Sequence, residues 1–361
     1  MRARKTIAVI GAGFFGLSAS LSLAKRGYKV VVYERNSEAM QEASLLNQAR
    51  VHGGYHYPRS LSTAARCRAN YERFVRDYHE AITSNFESIY AIAADSKVNS
   101  QKFERLMRMI NAPIERVTTQ QLKMFDTSIV SSAFNVAETA FDSKVLLQIL
   151  LEKLSTFDVD VQFNTSVIEF ENNLNGGNTS ISIRTNTGKT HEHSHVILTT
   201  YGLDNIISNQ DFNDNFLYEV CELVKVSPPE SLIDKAVTLI DGPYWSLTPW
   251  PTFQSHVLTH VRYTPHARFN DYVGAKEFLV EPKISRAEMM IRDAVKYVPE
   301  MARCEILGSQ FTVKTILKKR DYDDARPIYV SRKGNILSIL GSKIDNVYEI
   351  DEVIENFLEV V

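Results

Sequence analysis

Cysteine is scarce in this chain. Cys67, Cys221 and Cys304 stand far apart with no C-x-x-C pair, which excludes a disulfide framework and a cysteine-built zinc site and suits a reducing compartment. No apolar run reaches the roughly eighteen residues a transmembrane helix needs. An excess of one charge is missing too. The 41 basic and 43 acidic residues leave a net charge of −2, so no global field recruits nucleic acid. The basic start Met1-Arg2-Ala3-Arg4-Lys5 meets an apolar stretch that glycines break at once. The sequence therefore predicts no signal peptide, and the cytoplasm is the expected compartment. Internal repeats and low-complexity tracts are absent. Glycine is thin, 15 in 361 residues, below the roughly 7% of an average chain, which makes any cluster of glycines informative.

Such a cluster opens the chain. Ile7-Ala8-Val9-Ile10 reads as a buried parallel strand, and Gly11, Gly13 and Gly16 follow in the spacing G-x-G-x-x-G. Helical spacing of Leu17, Leu21, Leu23 and Ala24 runs to Lys25-Arg26-Gly27, and a second strand, Tyr28 to Tyr33, ends on Glu34. Each part has a physical task in a dinucleotide site. The first glycine permits the tight turn, the second admits a pyrophosphate, and the third lets helix and strand pack closely. The helix N-terminus offers unpaired N–H groups and a positive dipole end. Glu34 is placed to accept hydrogen bonds from a ribose.

With 361 residues at 44% hydrophobic and 23% charged content, the chain suffices for two intertwined globular domains. Ser37–Ala43 is predicted as a short helix capped by Ser37. The stretch Asn47 to Ser60 has no clean period and is dense in His, Tyr and Arg around Gly53-Gly54, as suits a chemically active loop on a rigid scaffold. Leu61–Ile82 reads as an amphipathic helix and Phe86–Ala93 as a strand that leaves the first unit. Asp142 caps a helix over Ser143–Thr156. Val196 to Gly202 reads as an apolar strand ending in small polar residues and glycine, a second place for backbone to approach a cofactor. Residues 205–309 are strand-rich and aromatic, with a covering helix over Ser285–Tyr297. The expected architecture is α/β with an α+β second domain. A Rossmann-type dinucleotide domain takes 1–85, 136–205 and 310–361, and an antiparallel-sheet substrate domain takes 86–135 and 206–309.

The fingerprint, the loop Val51-His52-Gly53-Gly54-Tyr55-His56-Tyr57-Pro58 and the turn Ala325-Arg326-Pro327 occur in an order that resembles the D-amino-acid oxidase superfamily of FAD enzymes. The loop is similar to the H-S-G-x-Y-Y segment of the L-2-hydroxyglutarate oxidase/dehydrogenase branch. The resemblance implies FAD as cofactor and hydride transfer from a C–O or C–N bond to the flavin. It implies that Gly11, Gly13, Gly16 and Glu34, with Phe14 and Phe15 beside them, hold the ADP part, and that Arg35 lies near the adenosine. Asn47, Ala49, Arg50 and His52 would run along the isoalloxazine, and Val167 would meet the adenine. Thr200, Gly202, Gly341, Ser342 and Lys343 complete the expected cofactor contacts. Gly341-Ser342-Lys343 departs from the usual glycine-rich closing turn, and Lys343 is either a partner of the flavin's negative charge or a solvated lysine.

Catalysis needs a group to handle a proton beside the reacting carbon. His52, His56 and His260 qualify by residue type. Alternation places His256, Leu258, His260 and Arg262 on one strand face, which reads as the wall of an anionic substrate site, with Tyr244 in the neighbouring aromatic cluster. No carboxylate or cysteine completes a metal site there. The expected substrate is a carboxylate-bearing 2-hydroxy acid or amino acid, free or on a carrier. A non-redox flavoenzyme (a sugar mutase or lyase) and a non-catalytic FAD-stabilised module are the alternatives. By resemblance, Arg326 anchors the carboxylate through a bidentate pair that lysine cannot form. Replacing it tests this. Arg326→Lys is expected to lower kcat/KM by roughly ten- to hundred-fold and to slow flavin reduction. If only thermal stability falls, Arg326 braces the turn beside Asp323 and Asp324 instead.

Overall fold

The computed structural model describes residues 6–175, 178–203, 216–318, 328–341 and 343–359. Among them, six strands form a sheet in the order Tyr329–Lys333, Ile336–Leu340, His195–Leu198, Thr6–Ile10, Lys29–Tyr33, Val159–Gln162. Neighbours are parallel except the first pair, an edge hairpin. Ile7 to Ile10 are buried, because a parallel sheet is covered on both faces and its strands read as continuous apolar runs. Helices Phe14–Lys25, Ser143–Ser155 and Ile350–Glu359 cover one face, with Leu17, Leu146, Leu150, Ile354 and Phe357 in a shared core. Asp142 caps the second of these, accepting from the main-chain N–H of Lys144 at 2.8 Å. The opposite face packs on a three-stranded antiparallel sheet, Val167–Asn175, Asn178–Thr185 and Thr190–His193, through Ile10, Val31, Tyr33, Phe170 and Ile183.

A nine-stranded sheet forms the second layer system. Its order is Pro265–Phe269, Phe216–Ser227, Ser255–His260, Trp245–Trp250, Lys235–Ile240, Glu87–Ala93, Val130–Val136, Ile114–Arg116, with Glu305–Leu317 also pairing on Phe216–Ser227. It is antiparallel except for the parallel pair Lys235–Ile240 and Glu87–Ala93. Helix Ala287–Tyr297 covers one face, burying Met290 and Ala294 against Val224, Leu247 and Leu258. A small sheet of Arg50–Val51, Thr139–Phe141 and Ile82–Thr83 lies at the junction.

Four local expectations change. Ser37–Ala43 forms bends and turns, because Met40 takes a left-handed φ of 59° and donates its N–H to Ala12 O at 3.0 Å, folding the segment back on the glycine turn. The helix from Leu61 ends at Asp77, before a short 3-10 turn. Helix Tyr272–Val280 and strand Pro265–Phe269 were not expected. The boundary drawn at residue 310 cuts the strand Glu305–Leu317, whose ladder to Phe216–Ser227 keeps residues 310–317 in the nine-stranded sheet.

Packing between the parallel sheet and the three-stranded sheet makes stability depend on pH. His193 Nε2 lies 2.9 Å from the Tyr33 hydroxyl in a buried contact. Burial, then the neighbouring His191, push the His193 imidazole down to about 4. Unfolded, the ring titrates near 6.5, so the unfolded chain takes up a proton that the folded one refuses. His193's contribution is therefore present above pH ~6.5 and is lost as pH falls toward 4, by about 3 kcal/mol in all. In thermal melts across this window, His193→Gln is expected to flatten the fall of Tm seen in the parent. A parent Tm independent of pH from 7 to 4.5 would contradict it.

Candidate active site

The glycine motif leaves the sheet where Ile10 is paired with Tyr33 on one side and Leu198 on the other. Gly11 has φ +101° and donates its N–H to Tyr33 O at 2.9 Å. A Cβ on Gly16 would stand 1.9 Å from Gly11 O and 2.6 Å from Thr199 Oγ1, so this glycine is required for the helix to approach the strand ends. Gly13 differs. Its Cβ would meet only Ser44 Oγ, at 3.3 Å, a side-chain contact that need give only a few tenths of an ångström. Gly13 is the N-cap of helix Phe14–Lys25 and no acid occupies the first turn. Ser44 Oγ takes the Phe14 N–H at 3.0 Å, and the positive dipole end of the helix still favours an anion at the turn. Glu34 is fixed at the tip of its strand, accepting from Ala12 N at 2.7 Å and Asn36 N at 2.9 Å.

Beside this cradle lies a buried polar cluster. Arg50 donates to the Tyr90 hydroxyl at 3.1 Å and to Thr248 Oγ1 at 2.7 Å, and its Nε is 3.9 Å from Glu138 Oε2. Glu138 also accepts from the Tyr90 hydroxyl at 2.7 Å and from Gly53 N at 3.0 Å. His52 Nδ1 lies 3.6 Å from Glu138 Oε1, and the His52 ring packs against His56 and Tyr57. Lys343 is buried, its Nζ 3.0 Å above the Tyr57 ring centroid and 3.2 Å from Cys67 Sγ. Burial pushes the Glu138 carboxyl up, but His52, Arg50 and the Tyr90 hydroxyl outweigh it and hold it below the usual carboxylate range. Burial drives His52 down, Glu138 pulls it back in part, and the charges of Lys343 and Arg50 push it further down. The site at neutral pH therefore holds a carboxylate, two cations and a neutral imidazole.

The glycine turn at a helix N-terminus, the acid at the end of the second strand and the buried acid–base cluster are compatible with a dinucleotide enzyme. The family model for FAD dependent oxidoreductases matches residues 6–329. The chain belongs to this family. It is 25% identical to the FAD-dependent monooxygenase FPY4 of Fusarium mangiferae, over 98% of this chain and 91% of that protein. It is also 25% identical to the FAD-dependent monooxygenase kojA of Aspergillus flavus, over 76% and 66%. Among solved structures, glycine oxidase from Geobacillus kaustophilus superposes with a TM-score of 0.72 at 14% identity, covering 99% of this chain and 95% of that one. L-alpha-glycerophosphate oxidase from Mycoplasma pneumoniae, with FAD bound, gives 0.74 at 17% identity, covering 99% and 95%. The L-2-hydroxyglutarate branch is not singled out among them.

The residues present fit FAD, since the glycine turn, the helix N-terminus and Glu34 offer what its ADP part needs. Other expected contacts of this FAD dependent oxidoreductase fall differently. Phe14 buries its ring against Phe74 and Tyr78, leaving only its main chain at the turn. Phe15 lies against Gly341, where a Cβ would be 1.9 Å from the ring. Arg35 is engaged by Glu42 and the Tyr272 hydroxyl. Asn47 closes its own turn by accepting from Ala49 N at 2.7 Å, and Ala49 is buried with φ +52°. Val167 is in the core below Tyr33. Thr200 is half-buried next to the turn at Gly202, where a Cβ would meet Thr315 Cγ2 at 2.9 Å. Lys343 is not a solvated lysine. Arg326 and Ser342 lie outside the described residues.

The strand face carrying His256 and His260 lies apart from the buried cluster of Arg50, His52 and Glu138. Thr248 and Thr259 bond Arg50 and Gln48, so the face carrying Val257 and Thr259 looks toward the nucleotide-binding side. With period two, His256, Leu258 and His260 point the other way, where Leu258 packs beneath helix Ala287–Tyr297. His260 is held there by Asp293 at 2.9 Å and accepts from Arg262 N at 3.0 Å. Arg262 is exposed in the turn beyond the strand. Tyr244 belongs to the same outer core and donates to Asp95 at 2.7 Å. Glu138, Tyr90 and Thr248 escaped the sequence reading. Glu138 is a lone acid between two short strands, and only its partners mark it.

The two glycines separate cofactor binding from folding. Gly13→Val is expected to yield soluble protein with a near-parental apoprotein Tm but little flavin, read as flavin absorbance per chain. Gly16→Val, which collides with the Gly11 carbonyl, is expected to lower the apoprotein Tm as well. Full flavin content in Gly13→Val would rule the motif out as the cofactor site.

Proposed function

We propose that the protein oxidises the C–O or C–N bond of a small carboxylate-bearing molecule, a 2-hydroxy acid or an amino acid, free or on a carrier. The observation that carries this reading is His52, its Nδ1 3.6 Å from Glu138 Oε1, in a buried cluster with Arg50 and Lys343. FAD, when bound, supplies the hydride acceptor. Gly11, Gly13, Gly16 and Glu34 hold its ADP part, and Gly341 and Lys343 close on it. His52 Nε2 takes the proton from the substrate's oxygen or nitrogen, so that the C–H hydride leaves as the double bond to carbon forms. Lys343 and Arg50 favour an anion in the pocket, and Arg326, by the family resemblance, grips its carboxylate. The nucleotide-binding part comprises 1–85, 136–205 and the segment from 328 onward, and the nine-stranded sheet roofs the site with its Thr248 and Thr259 face. Three free cysteines suit a cytoplasmic setting, and no helix among the described residues is long and apolar enough to cross a membrane.

A second reading, hydroxylation, is supported by the names of the FPY4 and kojA proteins. Anaerobic mixing of the oxidised protein with a panel of 2-hydroxy acids and amino acids separates the two. Loss of the oxidised-flavin absorbance with substrate alone is the expected result. Reduction only by a nicotinamide nucleotide, followed on admitting air by entry of one oxygen atom into the substrate and release of the other as water, would establish a monooxygenase instead.

A further inference from the structure

We infer that Glu138 is a positioning residue that holds His52 in the Nδ1–H tautomer and so leaves Nε2 as the proton acceptor. This rests on the reading of His52 as the base but is tested apart from it. Of the two ring nitrogens, Nδ1 is the one fully buried and without a hydrogen-bond partner, and the acceptor before it is Glu138 Oε1 at 3.6 Å. A small movement of the ring brings that pair to hydrogen-bond distance. The carboxylate cannot turn away to meet it differently, because Gly53 N, the Tyr90 hydroxyl and Arg50 fix it from three elements. Tyr90 stands on a central strand of the nine-stranded sheet and Arg50 on the small sheet.

The other groups facing His52 do not offer Nδ1 an acceptor of this strength. Arg50 and Lys343 are cationic donors, and His56 and Tyr57 meet the ring through ring contacts. A neutral imidazole carries one N–H, and its partner decides which nitrogen keeps it. With Nδ1–H aimed at Glu138, the lone pair belongs to Nε2. When Nε2 accepts a proton from the substrate, the imidazolium is held by the same carboxylate, and no other proton moves.

The tautomer is readable without knowing the substrate. FAD-loaded protein with ¹⁵N-labelled histidine gives ring-nitrogen resonances, and His52→Gln assigns those of His52. The parent is expected to show Nδ1–H above the His52 midpoint. In Glu138→Gln the carboxylate charge that favours imidazolium is gone, so the midpoint is expected to fall by about one pH unit or more. Glu138→Asp keeps the charge and is expected to lie between. An Nε2–H tautomer in the parent, or one midpoint shared by parent and Glu138→Gln, would overturn the inference. If Glu138→Gln does not fold, the parent tautomer and the Glu138→Asp midpoint still decide it. Undiminished flavin reduction in His52→Gln, with the parent tautomer as expected, would remove His52 as base and leave the placement by Glu138 standing.

Discussion

A buried carboxylate beside a buried guanidinium constrains everything around it. Taking either charge out of water alone costs several kcal/mol, and removing one partner of such a pair costs on the order of 3–5 kcal/mol. The Arg50–Glu138 pair is therefore kept only where further hydrogen bonds complete it. Here they come from Gly53 in the loop, from Tyr90 on one strand of the nine-stranded sheet, and from Thr248 on another. Satisfying one ion pair ties the small sheet at the junction to the roof of the site. The same requirement aims a carboxylate at His52. Structural need and site geometry are met by one set of bonds, so the cluster's stability and its electrostatics cannot be altered separately.

The nucleotide-binding half works by a different constraint, close approach. Gly11 and Gly16 allow strand, turn and helix to meet at distances no side chain would permit. Gly341, at the end of the strand Ile336–Leu340, does the same for Phe15. The result is a helix N-terminus braced by Ser44 and set beside a fixed Glu34. This division of labour fits the chemistry. Under the proposed function, main chain and helix dipole would meet the cofactor's phosphates, and proton handling would fall to side chains whose charges set one another.

The two halves were unequally legible in the sequence. The parallel strands, the glycine turn and Asp142's cap are local patterns, and each formed where the sequence placed it. Ser37–Ala43 failed because its helical spacing competes with the bond from Met40 N to Ala12 O, a contact between distant parts of the chain. The face bearing His256 and His260 was read correctly as one face. Alternation says which residues share a side and is silent on what each side faces; the bonds of Thr248 and Thr259 show that theirs faces Arg50 and Gln48. Glu138 was invisible because nothing local distinguishes it from a strand-end acid. Its meaning lies in Arg50, His52, Gly53 and Tyr90, between 48 and 88 residues away in sequence. Lys343 shows the same limit, since only its burial against Tyr57 and Cys67 separates a site residue from a surface lysine.

The most direct test is a crystal structure of the FAD-loaded protein. The expected map places the flavin between the Gly11–Gly16 turn and the sheet face of Thr248 and Thr259, with Glu138 still bonded to Tyr90 and Gly53 and within reach of His52 Nδ1. Flavin density on the opposite face, beside His256 and His260, or a Glu138 turned away from His52 with the cofactor in place, would contradict the account.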